Sequence, residues 1–236
     1  MKILAKIRFY LGAFIISGVV ALIMIPLLFV LPGYACQILH YFNRLILVLL
    51  GGKIEEVGKM DPEADMVLIN HQGIIDIIAM EARGCTGLRW VAKKELFEIP
   101  WFGNVLKKSN MISIDRQNKA GLIKLLKDSK ETVETKNRMI AIFPEGTRAS
   151  SQKLLPFKAG AGLIANRLKL KVQPVVITGS KRLLNEHDRT AHNSTVKIIF
   201  LPTIDVHTAE KEWYTKLSQE MQQMIDKEHE TYHRQR

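Results

Sequence analysis

His71 and Asp76 are the residues of this chain whose types and spacing are best suited to chemistry, a histidine followed five positions later by a carboxylate. The aliphatic run Met66–Ile69 reads as a short buried strand. Gly73 to Met80 is continuous and apolar enough to begin a buried helix. His71 then falls in the turn and Asp76 one helical turn in. From there the carboxylate can reach back to one imidazole nitrogen, fix the tautomer, and leave the other nitrogen as a general base. A helix-capping or surface histidine beside an unrelated aspartate has the same spacing, so the pair needs support from the rest of the chain.

Residues just beyond each aliphatic run provide that support. Leu88–Ala92 is succeeded by Lys93 and Lys94, Ile112–Ile114 by Asp115 and Arg116, and Ile140–Phe143 by Pro144-Glu145-Gly146-Thr147-Arg148. In open α/β sheets, ligands collect at the carboxyl ends of the strands. A base, several cations and a carboxylate therefore converge on one edge. Guanidinium forks match phosphate oxygens and a lysine adds point charge, so converging cations indicate a phosphate-bearing ligand.

The 236 residues carry 34 Lys and Arg against 23 Asp and Glu, a net charge of +11. Such a surface attracts anionic partners. Nucleic acid is the weakest of these, because the basic residues are spread among acidic ones and no aromatic platform accompanies them. The two cysteines, Cys36 and Cys85, lack the spacing of a metal knuckle or redox pair. They read as small buried apolar groups in a reducing compartment, with no disulfide. His187, His192 and His229 lack supporting ligands, and no metal site is expected.

Phe9 to Leu39 contains no charged residue, and Phe9 to Val30 is long enough to cross a hydrocarbon layer of about 30 Å. Lys2, Lys6 and Arg8 favour a cytoplasmic N-terminus. Pro26 and Pro32 can break the helix, and Tyr34–Leu50 supplies a second apolar segment. A bent pair of helices entering and leaving one leaflet keeps both ends on the same side. The expected organisation is a membrane-associated two-helix region over residues 1–51, closed by Gly51-Gly52, and an α/β domain over 52–236.

In that domain short aliphatic runs alternate with longer helical stretches, the pattern of a mostly parallel sheet flanked by helices. Strands are expected at Lys53–Val57 (an edge), Met66–Asn70 (central), Leu88–Ala92, Met111–Ile114, Met139–Phe143, Val172–Ile177 and Val196–Leu201. Helices are expected at Ala120–Thr135 and Ala159–Leu168. In the stretch Ala209–Gln235, Trp213, Leu217, Met221 and Met224 recur at helical spacing and read as a packing stripe.

Read together, Asn70-His71-x4-Asp76, Ile114-Asp115-Arg116, Phe143-Pro144-Glu145-Gly146-Thr147-Arg148 and the apolar run with Pro174 at 172–177 resemble, in that order, the glycerolipid acyltransferase family, more closely its 1-acylglycerol-3-phosphate acyltransferases. Ala92 to Leu96, with Pro100 and Gly103, and Pro156 to Ala161 are also similar to family sequence. The resemblance spans about Lys53 to Gly179. It departs at Gly73, where the family commonly has Ser, and at Met111, where it commonly has Gly.

The resemblance implies a membrane enzyme of phospholipid biosynthesis that moves an acyl group from acyl-CoA or acyl-carrier protein to lysophosphatidic acid, giving phosphatidic acid, without a cofactor. The expected location is the cytoplasmic face of a bacterial inner membrane. It implies His71 as base and Asp76 as its orienting partner. Glu145, Gly146 and Thr147 belong to the acceptor-binding block, with Glu145 placed to hydrogen-bond a glycerol oxygen. Arg116, Arg148 and Lys93 are the phosphate cations, and Lys158 either lines the same pocket or starts a helix. An oxyanion donor is expected among the backbone N–H groups near the start of the Asp76 helix. Glycerol 3-phosphate or another lysophospholipid is the alternative acceptor, and a non-catalytic membrane lipid-binding protein is the reading from a different class.

Overall fold

The structure, a computed structural model, describes residues 2–85, 87–115, 119–135 and 138–234. A helical hairpin comes first. Helix α1 (Lys2–Val19) continues through a π-helical turn at Val20–Met24 into α2 (Ile25–Val30), and a 3₁₀ turn at Pro32–Tyr34 reverses the chain into α3 (Ala35–Leu49). Pro26 was expected to break the first helix, yet the helix runs through it. The wide turn just before the proline absorbs its missing N–H and its ring, as π-bulges do. The reversal falls at Pro32 instead.

The remaining strands are β1 (Gly52–Val57), β2 (Met66–Ile69), β3 (Leu88–Lys93), β4 (Ile112–Ile114), β5 (Met139–Ile142), β6 (Lys171–Thr178), β7 (Leu184–Asn185), β8 (Thr190–Ala191), β9 (Ser194–Phe200) and β10 (Ile204–Asp205). The helices are α4 (Ile74–Ala82), α5 (Lys94–Glu98), α6 (Gly103–Lys108), α7 (Lys119–Glu134), α8 (Ala159–Leu168), α9 (Ser180–Leu183) and α10 (Trp213–Arg234). The main sheet has the order β1-β9-β6-β2-β5-β3-β4, with β10 added to β6. Strands β6, β2, β5, β3 and β4 are mutually parallel, whereas β9 and β10 run antiparallel to β6, and β1 runs parallel to β9. Expected strand and helix positions agree with these to within a residue or two at most ends. The carboxyl ends of the five parallel strands share one edge.

Side-chain alternation builds two cores on this sheet. Val67, Ile69, Met139, Ala141, Val175 and Ile177 face the hairpin and α4, packing with Leu28, Leu39, Ile46, Ile75 and Ala79. Met66, Leu68, Ile140, Ile142, Val172 and Val176 face the other way, onto Leu125, Ala161, Ile164 and the α10 stripe Trp213, Leu217, Met221 and Ile225. Each large side chain of that stripe contributes roughly 1.5–3 kcal/mol by its burial, which docks an otherwise polar helix. The hairpin shares a core with the sheet on one side only. Its other side exposes Leu4, Ile7, Phe14, Leu22, Val30 and Tyr41. Lys2–Val30 is a helix long and apolar enough to cross a membrane.

One expectation is corrected. Cys36 and Cys85 are joined as a disulfide, with Cα atoms 5.3 Å apart. Cys36 is half-buried at the start of α3 and Cys85 is exposed beyond α4, so neither is the buried apolar group expected. Sequence separation hid the pairing. The packing of α3 along α4 brings together two residues 49 positions apart.

Candidate active site

The turn from β2 into α4 is pinned before any reactive group is placed. The Asn70 side chain accepts the Ile177 N–H at 2.6 Å and donates to the Ile177 carbonyl at 2.9 Å, so its amide mimics a strand and locks the ends of β2 and β6 together. His71 is next in the chain. Its backbone N–H donates to Glu145 Oε1 at 2.7 Å, and its carbonyl accepts the Ala149 N–H at 2.8 Å. The imidazole is thereby carried on a backbone tied to the end of β6 and, at two points, to the loop after β5.

Asp76, with no exposed surface, sits at the third position of α4 and turns back toward its start. Its Oδ2 accepts the Gln72 N–H at 2.6 Å, the Gly73 N–H at 2.9 Å and a hydrogen bond from His71 Nδ1 at 2.9 Å. With Nδ1 donating, Nε2 is the imidazole lone-pair nitrogen, an assignment drawn from the hydrogen-bond network. The carboxylate also lies at a helix N-terminus, where the macrodipole favours negative charge. His71 and Asp76 are brought together as the spacing suggested.

Gly73 explains a departure noted in the sequence. Its backbone is extended, φ 179°, which any residue adopts, so conformation does not require glycine. Space is the relevant constraint. A Cβ would come within 3.3 Å of Glu186 Oε1, and that oxygen accepts the Ile74 N–H at 2.7 Å. A carboxylate from the β7–β8 turn caps α4 from outside, in place of a side chain at Gly73. Met111, the other departure, is buried with its Sδ 3.2 Å from the Trp90 N–H.

The Phe143–Arg148 block lies at the carboxyl end of β5. Gly146 has φ 70°, a left-handed conformation that glycine takes without strain, and its N–H closes a turn onto the Phe143 carbonyl at 3.0 Å. Glu145 is 1 % exposed. Burial pushes its carboxyl up, opposed by the N–H groups it accepts from Leu155, at 2.7 Å, and His71. Each Glu145 oxygen accepts one backbone N–H, and through Oε1 the carboxylate holds the His71 main chain. Thr147 and Arg148 are exposed, and Arg148 is ion-paired with Glu186. Lys93 is exposed at the end of β3, and Lys158 is exposed at the start of α8, its N–H bonded to the Pro144 carbonyl at 2.8 Å. Arg116 lies outside the described residues.

Several features escaped sequence reasoning. Glu186 and Lys181 both enter the site region from the segment after β6. Lys181 Nζ donates to the Ala149 carbonyl at 2.8 Å, and burial pulls its ammonium below the ordinary lysine range. The Gln72 amide bonds Gln152 at 2.7 Å. The N–H groups of Gln72, Gly73 and Ile74, the nearest ones to serve as an oxyanion donor, are all taken by Asp76 and Glu186. Beneath the imidazole the Phe143 ring lies almost parallel, with centroids 3.7 Å apart. No sequence signal marks these, because each depends on which strand ends become neighbours.

The geometry provides an oriented imidazole whose second nitrogen can take a proton, on a turn whose helix is linked through Glu186 to the Arg148 guanidinium. Comparison with known proteins gives this arrangement its context. Residues 58–178, about half of the chain, match the family model described as Acyltransferase. The chain is 37 % identical over 199 residues to the 1-acyl-sn-glycerol-3-phosphate acyltransferase of Helicobacter pylori, covering 78 % of this chain and 84 % of that protein. Proteins of the same name from Escherichia coli and coconut, Cocos nucifera, are 29 % and 30 % identical, over 79 % and 73 % of this chain and 76 % and 56 % of theirs. In fold it is similar to the crystal structure of the 1-acyl-sn-glycerophosphate (LPA) acyltransferase of Thermotoga maritima, with TM-score 0.77, 21 % identity, and coverage of 96 % of this chain and 97 % of that one. With a family model spanning half of its length and a relative this similar over most of both chains, the chain belongs to the Acyltransferase family.

Proposed function

We propose that this protein acylates 1-acylglycerol 3-phosphate at its free hydroxyl, using a thioester donor, and so makes phosphatidic acid for phospholipid biosynthesis. The observation that carries the reading is the His71 Nδ1 to Asp76 Oδ2 contact at 2.9 Å, formed by a carboxylate that is itself fixed by two backbone N–H groups. His71 Nε2 takes the acceptor hydroxyl proton as that oxygen attacks the thioester carbonyl. That attack forms the new C–O bond and a tetrahedral intermediate, which collapses by re-forming the carbonyl and breaking the C–S bond, and the leaving sulfur takes the proton from the imidazolium. Asp76 stays ionised and stabilises the imidazolium between the two transfers. No acyl-enzyme is required, because the acceptor hydroxyl is itself the nucleophile. General-base help contributes about 10²- to 10⁴-fold, so positioning of both substrates supplies much of the remainder.

Arg116 and Arg148 are the acceptor phosphate's cations in this reading, with Lys93 at the end of β3 as a third and Lys158 at the start of α8 lining the same pocket, and Gly146 and Thr147 shaping the approach. Glu145 acts from below, holding the base's backbone. Residues 1–51 form the membrane-associated part and 52–236 the acyltransferase domain. The exposed apolar side of the hairpin, continued by Leu96, Ile99, Trp101 and Phe102 around α5 and α6, supports insertion into one leaflet. The Trp101 indole bonds the Ala21 carbonyl at 2.8 Å and so joins the two surfaces. Lys2, Lys6, Arg8, Arg44 and Lys53 at the two ends favour the cytoplasmic face.

The test is acyl transfer by purified enzyme to lysophosphatidic acid, from acyl-CoA and from acyl-carrier protein, with glycerol 3-phosphate and a phosphate-free lysolipid as competing acceptors. His71→Ala is expected to abolish turnover while vesicle binding persists. Near-normal turnover in that variant overturns the base, and equal rates on the phosphate-free acceptor overturn the role of the cations.

A further inference from the structure

Hydrogen bonding to Asp76 fixes His71 at one point of its ring, Nδ1. A ring held at one edge can still swing out of its own plane, and that motion carries Nε2 away from the acceptor hydroxyl. Something must brace the face. Phe143 does so from one side, its ring tilted only 13° from the imidazole. Phe143 is itself half-buried and braced in turn by Trp90, whose ring stacks on it with centroids 5.1 Å apart and planes 27° apart.

Trp90 is only 4 % exposed, and a buried indole needs a partner for its N–H. It finds Glu81, also 4 % exposed, at 2.6 Å from Nε1 to Oε1. A carboxylate this deeply buried is costly, and core tryptophans are ordinarily satisfied by a carbonyl or hydroxyl. Glu81 lies at the far end of α4 from Asp76, so one helix holds the ring edge through its first turn and the ring face, through two aromatic rings, from its last turn.

We propose that Trp90 is a positioning residue for the His71 base, its indole oriented by the Glu81 carboxylate so that it backs the Phe143 ring lying flat on the imidazole. The inference rests on the reading of His71 as general base. It adds that the sheet face beneath the site sets the direction of Nε2. The same stack places an aromatic face against the ring that becomes imidazolium in the reaction, which favours the charged form.

Four variants test it: Trp90→Leu, which removes ring and N–H; Trp90→Phe, which keeps a ring; Glu81→Met, which removes the acceptor; and Glu81→Gln, which keeps one. Trp90→Leu and Glu81→Met are expected to lower kcat about tenfold with KM within about twofold, since sub-ångström misplacement of a base acts on chemistry rather than on binding. Their acidic limb of kcat/KM against pH is expected to move down by about 0.4 pH unit as the Phe143 ring loses its backing and no longer lies flat against the imidazole. Trp90→Phe should fall between, and Glu81→Gln should restore both readouts to near the parent values. Limb position does not depend on the folded fraction, so a loss of stability alone leaves it unmoved. The Trp90 substitutions leave the charged groups facing the ring, Asp76 and Glu145, as they are, together with Lys181 and the Glu186–Arg148 pair at the start of α4. Arg138, and His40 against the Glu81 carbonyl, remain beside Glu81.

A folded Trp90→Leu enzyme with parental kcat and limb position overturns the proposal. If that variant does not fold, equal values for Glu81→Met and Glu81→Gln overturn it instead. An active His71→Ala enzyme would bring down the base assignment itself, whereas an inactive one beside unaffected Trp90 and Glu81 variants removes only the positioning role.

Discussion

Asp76→Asn separates the charge of the carboxylate from its shape. Asp76 Oδ2 receives three hydrogen bonds, from His71, Gln72 and Gly73, while Oδ1 is buried without a partner among the described residues. An asparagine oxygen in the Oδ2 position keeps all three contacts as a neutral acceptor. What it loses is attraction to the imidazolium, roughly 4 kcal/mol for unit charges about 4 Å apart at an effective dielectric of about 20. That attraction exists only when the ring is protonated, in and near the transition state. The loss therefore falls on kcat and leaves KM unchanged. At about 1.36 kcal/mol per decade, a loss of roughly 3–4 kcal/mol lowers kcat about 10²- to 10³-fold.

Stability changes as well, because the amide NH₂ then occupies the buried Oδ1 position without an acceptor, at a cost of about 1–3 kcal/mol. Steady-state acyl transfer from acyl-CoA to lysophosphatidic acid, run well below the melting temperature of both proteins, isolates the kinetic effect. A folded Asp76→Asn enzyme within about fivefold of the parent kcat would refute the claim that Asp76 acts by charge, and would leave it only the capping of α4.

The same geometry sets two further outcomes. Arg148→Ala is expected to raise KM for lysophosphatidic acid about tenfold or more with a smaller change in kcat, and Arg148→Lys to recover only part of it, because a lysine lacks the guanidinium fork; unchanged KM in both would remove Arg148 from the phosphate site. Glu81 has its carboxyl pushed up to about 7, chiefly by burial and against the Trp90 N–H and the charge of Arg138. A carboxyl raised in the folded state binds more protons there than in the unfolded chain between about pH 4.5 and 7, so stability declines as pH rises through that window and stays lower above it. Glu81→Gln has no such group to ionise. Its stability relative to the parent should grow by on the order of 2–3 kcal/mol between pH 5 and pH 8, read by denaturant unfolding, and a pH-independent difference would contradict the burial argument.

The central strands β2 and β5 were legible in the sequence because each is a wholly apolar run facing two cores. In β2, Val67 and Ile69 serve one face while Met66 and Leu68 serve the other. The His71–Asp76 pair was legible for a local reason, since a carboxylate at the third helical position reaches its own turn whatever the rest of the chain does. The partners of Glu145 were not legible, because one of them depends on Leu155 folding back across the carboxylate. Trp90, Glu81, Lys181 and Glu186 left no trace in spacing. Their contacts cross between elements, and only the strand order decides which ends are neighbours. The disulfide failed on the same ground.

Gly73 shows how a departure in one residue is compensated by a distant one. A side chain at that position would ordinarily cap α4 from within; here Glu186 reaches in, accepts the Ile74 N–H with one oxygen and holds Arg148 with the other. A Cβ on residue 73 would press on that carboxylate, so glycine and the inserted glutamate are linked choices. The arrangement ties the cation assigned to the acceptor phosphate to the helix that orients the base. If the acceptor phosphate binds Arg148 as proposed, it must displace or share the Glu186 carboxylate, which lowers the cation's net contribution to binding. In return, the guanidinium is held by Glu186 before the substrate arrives, and it does not have to be ordered at the moment of binding.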